Sequence, residues 1–367
     1  MVRTCLGTRR PAAAPRPLVR HPATRGVIIH KVTTAPARIL PLADGFGRVA
    51  TDLRVSLTDR CNLRCTYCMP AEGLPWLPSS ELLTDDELVR LIGIATEHLG
   101  VTEVRLTGGE PTLRPTLVSL VSRLAALPQR PQLSLTTNGL TLPRLAEPLA
   151  AAGLDRVNVS LDTTDRETFR RITRRDRLDD VVAGLAAAAT AGLLPVKVNA
   201  VLLRGVNDEH VVDLLTWCRE RGYQLRVIEQ MPLDAQHGWD RSQMVTAAET
   251  RARLSAAHVL TPMPGRGSAP AETFLIDGGP DTVGIIASVT EPFCSACDRV
   301  RLTADGQVRD CLFARTESDL RTALRAGAGD DELATRWLAA VAGKRAGHGI
   351  DDPSFAQPAR PMSAIGG

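Results

Sequence analysis

Six strand-like stretches with helical stretches between them recur from Asp52 onward, and the first five share one phase of alternation. The strands are read at Asp52-Thr58, Glu103-Thr107, Gln132-Thr137, Arg156-Leu161, Val196-Leu203 and Gln224-Ile228. Helical stretches fall near Thr84-Leu99, Leu113-Ala126, Leu142-Ala152, Asp165-Ile172, Leu178-Ala191 and Glu209-Arg221. Strand–helix repetition predicts a parallel sheet of βα units. Parallel strands covered on both faces usually read as continuous apolar runs, but these alternate. Leu53/Val55/Leu57, Val104/Leu106, Leu133/Leu135, Val157/Val159/Leu161 and Val196/Val198 stand against Arg54/Ser56/Thr58, Arg105/Thr107, Ser134/Thr136, Asn158/Ser160/Asp162 and Lys197/Asn199. Helices must cover the apolar face, so the polar residues of five successive strands converge on one interior. An ordinary eight-stranded barrel fills its interior with branched apolar side chains. Six strands with a polar lining predict instead an α/β fold with a partial (β/α)6, TIM-like barrel, open and enclosing water or a hydrophilic ligand. Arg54, Arg105 and Lys197 line it against one obvious acid, Asp162, so the lumen should attract an anion.

Directly after the first strand comes Cys61-Asn62-Leu63-Arg64-Cys65-Thr66-Tyr67-Cys68. Three thiolates on one loop suit an iron-sulfur cube in which each Cys holds one iron and the fourth iron has no protein ligand. A structural zinc site is the competing reading, but it wants four closed ligands, and no fourth Cys or His lies nearby. The C-x3-C-aromatic-x-C pattern after a strand resembles the radical S-adenosylmethionine superfamily. In that superfamily the open iron chelates the amino and carboxylate groups of S-adenosylmethionine, and one electron from the cluster releases a 5′-deoxyadenosyl radical.

Past Pro232 the regular alternation is predicted to stop, with a short helix near Ser242-Ala257 and a Pro/Gly-rich linker, Thr261-Pro270. Strands near Glu272-Ile276 and Val283-Ser288 lead to a second thiol group, Cys294-x2-Cys297-x13-Cys311. A hairpin, Val300-Thr303 and Gln307-Arg309, brings Cys311 back to the pair. A zinc ribbon is the alternative here, although the nearest His is His348. Beside one iron-sulfur loop, a second three-Cys cube with an open iron is the better reading. Arg299 and Arg301 stand two apart on a strand and so share a face suited to clamping phosphate oxygens, although a solvated edge strand would also carry charge. Helices at Glu317-Ala326 and Glu332-Ala342 and a flexible tail ending Gly366-Gly367 close the chain.

The chain thus divides into a leader (1-43), a partial barrel (44-232), a C-terminal iron-sulfur subdomain (233-342) and a tail (343-367). Among 367 residues, 44% are hydrophobic and 23% charged, ordinary for a soluble globular protein. No stretch approaches the roughly 18 apolar residues of a membrane helix. Residues 1-43 hold eight Lys/Arg and no Asp/Glu, leaving 36 basic against 41 acidic, so the body is not a generic nucleic-acid binder. The leader reads as mostly disordered. Its lack of acids also fits a transit peptide, against which Pro11, Pro15, Pro17, Pro22, Pro36 and Pro41 argue, or a basic tail touching a polyanion. Six of eight cysteines fall in ligand-like clusters without a preceding signal peptide, which points to a reducing, cytoplasmic setting. Cys218 reads as a core thiol.

The cysteine loop, Arg105-Leu106-Thr107-Gly108-Gly109-Glu110-Pro111, Val196-Lys197-Val198-Asn199 and Pro292-Phe293-Cys294-x2-Cys297-Asp298-Arg299-Val300-Arg301-Leu302-Thr303-Ala304-Asp305-Gly306 together resemble the GTP 3′,8-cyclase family, which opens molybdenum cofactor biosynthesis. The likeness runs from about Arg48 to the terminal Gly-Gly. It implies conversion of GTP to (8S)-3′,8-cyclo-7,8-dihydroguanosine 5′-triphosphate, by hydrogen abstraction at C3′ and attack on C8. It implies that Cys61, Cys65 and Cys68 hold one 4Fe-4S cluster and Cys294, Cys297 and Cys311 a second, whose open iron meets guanine. By position, Tyr67, Gly109, Ser160 and Met231 surround S-adenosylmethionine. Arg54, Arg105, Thr136, Lys197, Arg299, Val300 and Arg301 bind GTP, and Arg299, Arg301, Gly366 and Gly367 act in catalysis. Implied partners are a flavodoxin-type reductant and cyclic pyranopterin monophosphate synthase downstream, with a homodimer as a candidate assembly. Asp298 and Arg174 depart from the family's common Asn and Gly. Two readings compete: a radical S-adenosylmethionine peptide-modifying enzyme with an auxiliary cluster, and a non-enzymatic iron-sulfur electron carrier.

Overall fold

The alternation folds as βα units: β1 (Asp52–Ser56), α1 (Asp85–Glu97), β2 (Glu103–Thr107), α2 (Leu117–Ala125), β3 (Gln132–Thr137), α3 (Leu142–Ala151), β4 (Arg156–Ser160), α4 (Arg166–Thr173), α5 (Leu178–Thr190), β5 (Lys197–Val201), α6 (Val211–Arg219) and β6 (Gln224–Ile228). There follow α7 (Ala247–Ser255), β7 (Leu260–Pro262), β8 (Glu272–Ile276), β9 (Thr282–Ile286), β10 (Arg299–Leu302), β11 (Gln307–Arg309), β12 (Ser318–Asp319), α8 (Arg321–Arg325), α9 (Asp330–Ala342) and α10 (Met362–Ile365). The computed structural model describes Met1 and residues 39–366; the rest of the leader and Gly367 lie outside the described residues. Arg38–Gly367 form one compact unit. Leu42 is fully buried and Ala43 bridges Val49, so the last residues assigned to the leader already belong to the fold.

The strands form a 12-stranded sheet in the order β12-β11-β10-β1-β2-β3-β4-β5-β6-β9-β8-β7. Every pairing from β10 through β1–β6 to β9 is parallel. The strand–helix alternation stops past Pro232 as expected, since β7 to β12 follow one another without an intervening α-helix, but the parallel pairing does not: β9 extends the barrel beyond β6, and β10 extends it before β1. Contrary to the expected linker at Thr261-Pro270, Leu260–Pro262 pairs antiparallel with β8. The helix expected at Glu317-Ala326 is shortened to α8, because Ser318 and Asp319 pair with β11 instead.

The outer face follows the sequence phase. Leu53, Val55, Val104, Leu106, Leu133, Leu135, Val157, Val159, Val198, Leu225, Val227, Val300 and Leu302 share one core with Leu88, Leu91 and Ile92 of α1 and Leu117, Leu120 and Leu124 of α2. Cys218 joins this core, as its apolar neighbours predict. Slipping β1 by one residue would trade Leu53 and Val55 for Asp52 and Arg54. With each buried aliphatic side chain contributing about 1.5–3 kcal/mol, and an unpaired charge entering in its place, the register is firmly set. A capping box at Thr84 and Glu87 starts α1, with the Glu87 amide donating to Thr84 Oγ1 (3.2 Å) and the Thr84 amide to Glu87 Oε2 (2.8 Å).

Candidate active site

The loop after β1 carries the first three thiols against the end of α4. The Arg64 and Thr66 amides donate to the Thr173 and Ile172 carbonyls (3.0 and 2.9 Å), while Arg174 Nη1 donates to the carbonyls of Arg64 (3.1 Å) and Met69 (2.9 Å). Arg174 sits at the C-cap of α4 with φ 56°, a left-handed conformation that favours glycine. The loop also locks onto the Gly-Gly turn after β2: the Gly109 amide donates to the Thr58 carbonyl (2.8 Å) and the Glu110 amide to the Arg60 carbonyl (2.7 Å). A Cβ on Gly108 or Gly109 would collide with the backbone of Thr58 or of Asp59 and Arg60, so both positions require glycine. Buried Glu110 accepts from the Asn138 amide (2.7 Å), Thr137 Oγ1 (2.7 Å) and the Thr112 amide (3.0 Å), tying this turn to the end of β3.

The second thiol group is built on the hairpin. Cys294 and Cys297 lie on a single tight turn, the Cys297 amide donating to the Cys294 carbonyl (3.2 Å), and β11 returns Cys311 beside them. Arg48 Nη1 donates to the Cys294 carbonyl (2.7 Å). Lys344 Nζ reaches the Arg299 carbonyl (2.8 Å) and Cys297 Sγ (3.4 Å).

All six thiols line one cavity of about 330 Å³, within the range of small-molecule sites. Burial pushes Cys61 up to about 11, Cys68 to about 12 and Cys65 well above its usual value. Burial also raises Cys297, but the adjacent Arg299 and Lys344 charges outweigh it and hold that thiol below the usual range. Buried thiols of this kind become thiolates when a metal displaces their protons. Among the described residues, no three His, Cys, Asp or Glu side chains converge as ligands of one metal ion. Each triad offers three thiols, the donor set of an iron-sulfur cube whose fourth iron has no protein ligand.

Between the triads lie the cations. Arg54, Arg105, Arg226, Arg299 and Arg301 face the cavity, and the Nε atoms of Arg54, Arg105 and Arg299 are buried without a hydrogen-bond partner. Asp52 faces two of them, its Oδ2 3.6 Å from Arg54 Nη2 and 3.9 Å from Arg105 Nη2, and Asp298 Oδ1 lies 3.7 Å from Arg299 Nε. Burial opposes the Asp52 charge, yet Arg54 and Arg105 hold its carboxyl below the usual range. Burial and then mutual repulsion depress Arg105 to about 9, Arg226 to about 10 and Lys197 to about 7. Guanidinium groups stay charged regardless, so the chamber holds excess positive charge that an anion would neutralise.

Thr136, Ser160, Tyr67, Gly109 and Met231 also line the cavity. Lys197 sits one layer deeper, two residues before the lining Asn199, and Val300 points its side chain into the core rather than the chamber. Glu110 and Asp310 line the wall as well, so Asp162 is not the sole acid there. Tyr67 donates to Asp162 Oδ2 (2.9 Å), and burial raises that carboxyl to about 6. Arg226 was missed at the sequence level; it stands in the polar phase of β6, where the same alternation would have identified it. Gly366 reaches the cavity-lining Arg301: Arg301 Nη1 donates to its carbonyl, and Ser56 Oγ donates to the Ile365 carbonyl (2.8 Å). A Cβ on Gly366 would strike Ser56 and Thr107.

A parallel barrel with a three-thiol loop after its first strand and a glycine pair after its second defines a radical S-adenosylmethionine protein. Residues 55–218 match the radical SAM superfamily, and residues 223–350 match the family described as Molybdenum Cofactor Synthesis C. The fold resembles Streptococcus suis SuiB bound to S-adenosylmethionine, with a TM-score of 0.54, 15% identity and coverage of 74% of this chain and 64% of that one. The chain is 66% identical over 328 residues to a GTP 3′,8-cyclase of Streptomyces coelicolor, covering 89% of this chain and 96% of the relative. It is 62% identical over 332 residues to GTP 3′,8-cyclase 2 of Mycobacterium tuberculosis, covering 89% and 92%. The chain belongs to the GTP 3′,8-cyclase family.

Proposed function

We propose that this chain is a lyase that cyclises GTP to (8S)-3′,8-cyclo-7,8-dihydroguanosine 5′-triphosphate at the start of molybdenum cofactor biosynthesis. The observation that carries this reading is the set of five arginines, three with buried Nε atoms that lack a hydrogen-bond partner, lining the same cavity as both thiol triads. When bound, two 4Fe-4S clusters and S-adenosylmethionine would supply a 5′-deoxyadenosyl radical that takes the C3′ hydrogen of GTP; C3′ would then bond to C8, and the resulting nucleotide radical would take up one electron, from the reductant, and one proton to give the dihydro product.

Cys61, Cys65 and Cys68 would hold the first cluster, and Cys294, Cys297 and Cys311 the second. The Gly109 backbone, Ser160, Met231 and Tyr67, the last fixed by Asp162, would orient S-adenosylmethionine. Arg54, Arg105, Arg226, Arg299 and Arg301, with Thr136 and the charge of Lys197 behind them, would hold the triphosphate and ribose and keep the nucleotide from turning. Val300 contributes through its backbone, since its side chain is in the core. Gly366 would complete the chamber wall beside Arg301; Gly367 lies outside the described residues. A flavodoxin-type reductant, the downstream cyclic pyranopterin monophosphate synthase and a homodimer are the partners this function calls for. Among the described residues no helix is long and apolar enough to cross a membrane.

The test is anaerobic incubation of the reconstituted protein with dithionite, S-adenosylmethionine and GTP, followed by mass spectrometry. A product isobaric with GTP, formed along with 5′-deoxyadenosine, is expected. Release of 5′-deoxyadenosine with GTP unchanged would reject the cyclase reading.

A further inference from the structure

From the end of α9 at Ala342 to Met362 the chain contains no helix or strand, and α10 is a single turn without a side-chain cap. A helix this short has little stability of its own, so the seat of Gly366 has to be set by tertiary contacts. The most directional is made by Arg360. Its Nη1 and Nη2 donate to Asp305 Oδ1 (3.0 Å) and Oδ2 (2.7 Å), and its Nε donates to Glu317 Oε2 (3.0 Å). Both acids are themselves held. Asp305, in the β10–β11 turn, also accepts from Thr303 Oγ1 (2.6 Å), and Glu317 pairs with Arg309 of β11.

The hairpin that grips Arg360 at its turn also carries Arg301 on β10, and Arg301 holds the Gly366 carbonyl six residues further along. Tail and hairpin are thus joined at two points. The second involves Arg301, which lines the cavity, and the first stands apart from it, since neither Arg360 nor its two acids is among the lining residues. A planar guanidinium with all its edges engaged fixes angle as well as distance, which a flexible ammonium would not do.

We infer that Arg360, gripped by Asp305 and Glu317, is a latch that seats the C-terminal glycine against Arg301, and is a positioning residue for the reaction. The inference rests on the chamber being the active site. The latch holds the tail amides in place: the Met362 amide bonds back to the body at the Leu233 carbonyl (2.9 Å), and the Gly366 amide closes the last turn of the tail on the Met362 carbonyl (2.8 Å).

Hydrogen exchange on the full chain with both clusters loaded, in wild type, Arg360→Ala, Arg360→Lys and Asp305→Asn, tests this without depending on turnover. Peptides covering 353–366 should exchange about tenfold or more faster in Arg360→Ala and Asp305→Asn, and by an intermediate amount in Arg360→Lys, while barrel peptides are unchanged. Iron content and the unfolding midpoint should stay near wild type. With GTP, kcat should fall more than KM rises, and more 5′-deoxyadenosine should form per GTP consumed. Wild-type tail exchange in Arg360→Ala would overturn the latch, as would loosening spread equally over barrel and tail. If tail exchange rises as expected but wild type itself yields no GTP-derived product, the proposed function fails while the latch stands.

Discussion

Lys344 Nζ lies 3.4 Å from Cys297 Sγ, and the same ammonium donates to the Arg299 carbonyl at 2.8 Å. Lys344 is only 5% exposed, and with Arg299 it holds the Cys297 thiol below its usual range. Partners of this kind typically change metal affinity about 10- to 100-fold when removed. Lys344→Met keeps the packing and deletes the donor. Iron should fall from about eight toward about four per chain, with the spectroscopic signal of the first cluster retained. Full iron content in Lys344→Met would show that the contact does not support the second cluster.

Arg174 combines a left-handed backbone with two hydrogen bonds to the first thiol loop. Arg174→Ala keeps the strain and loses both bonds, a cost of about 1–3 kcal/mol. Arg174→Gly loses the same bonds but relieves about 1 kcal/mol of backbone strain. Denaturant unfolding should therefore rank wild type above Gly and Gly above Ala. Equal stability for the two variants would mean that the positive φ costs nothing here.

Lys197 is depressed to about 7, chiefly by burial and then by Arg226. Its charge is therefore partly lost at neutral pH and almost wholly lost by pH 9. Triphosphate binding nearby stabilises the charged form and raises its pKa, so GTP binding at pH 8 should take up protons and weaken as pH rises. Calorimetry in buffers of different ionisation enthalpy measures the uptake, and Lys197→Met should abolish most of it. Proton release, or unchanged uptake in the variant, would contradict this role.

Arg226→Gln should weaken GTP binding about tenfold or more by removing a buried charge-assisted contact, with both clusters intact. Equilibrium binding of GTP beside an iron assay separates the two effects. Loss of iron with unchanged GTP affinity would make Arg226 structural.

The parts legible in the sequence were those with a local signature. Strand parity placed Arg54, Arg105, Thr136 and Ser160 on the chamber wall, and thiol spacing marked both triads. The Ala304-Asp305-Gly306 turn gave the hairpin that returns Cys311. The parallel pairing of β9 to β6 and of β10 to β1 carries no such mark, because which strand meets which edge is decided by distant packing. Ser318 and Asp319 look helical by neighbourhood and become a strand because β11 offers a free edge. The seat of Gly366 depends on contacts with Ser56 and Arg301, the latter 65 positions away and the former far further, which spacing alone cannot reveal.

The most direct test of the central claim is to supply GTP deuterated at C3′ and read the label in 5′-deoxyadenosine by mass spectrometry. The account predicts one deuterium transferred for each cyclised nucleotide formed. Unlabelled 5′-deoxyadenosine accompanying the same product would contradict it.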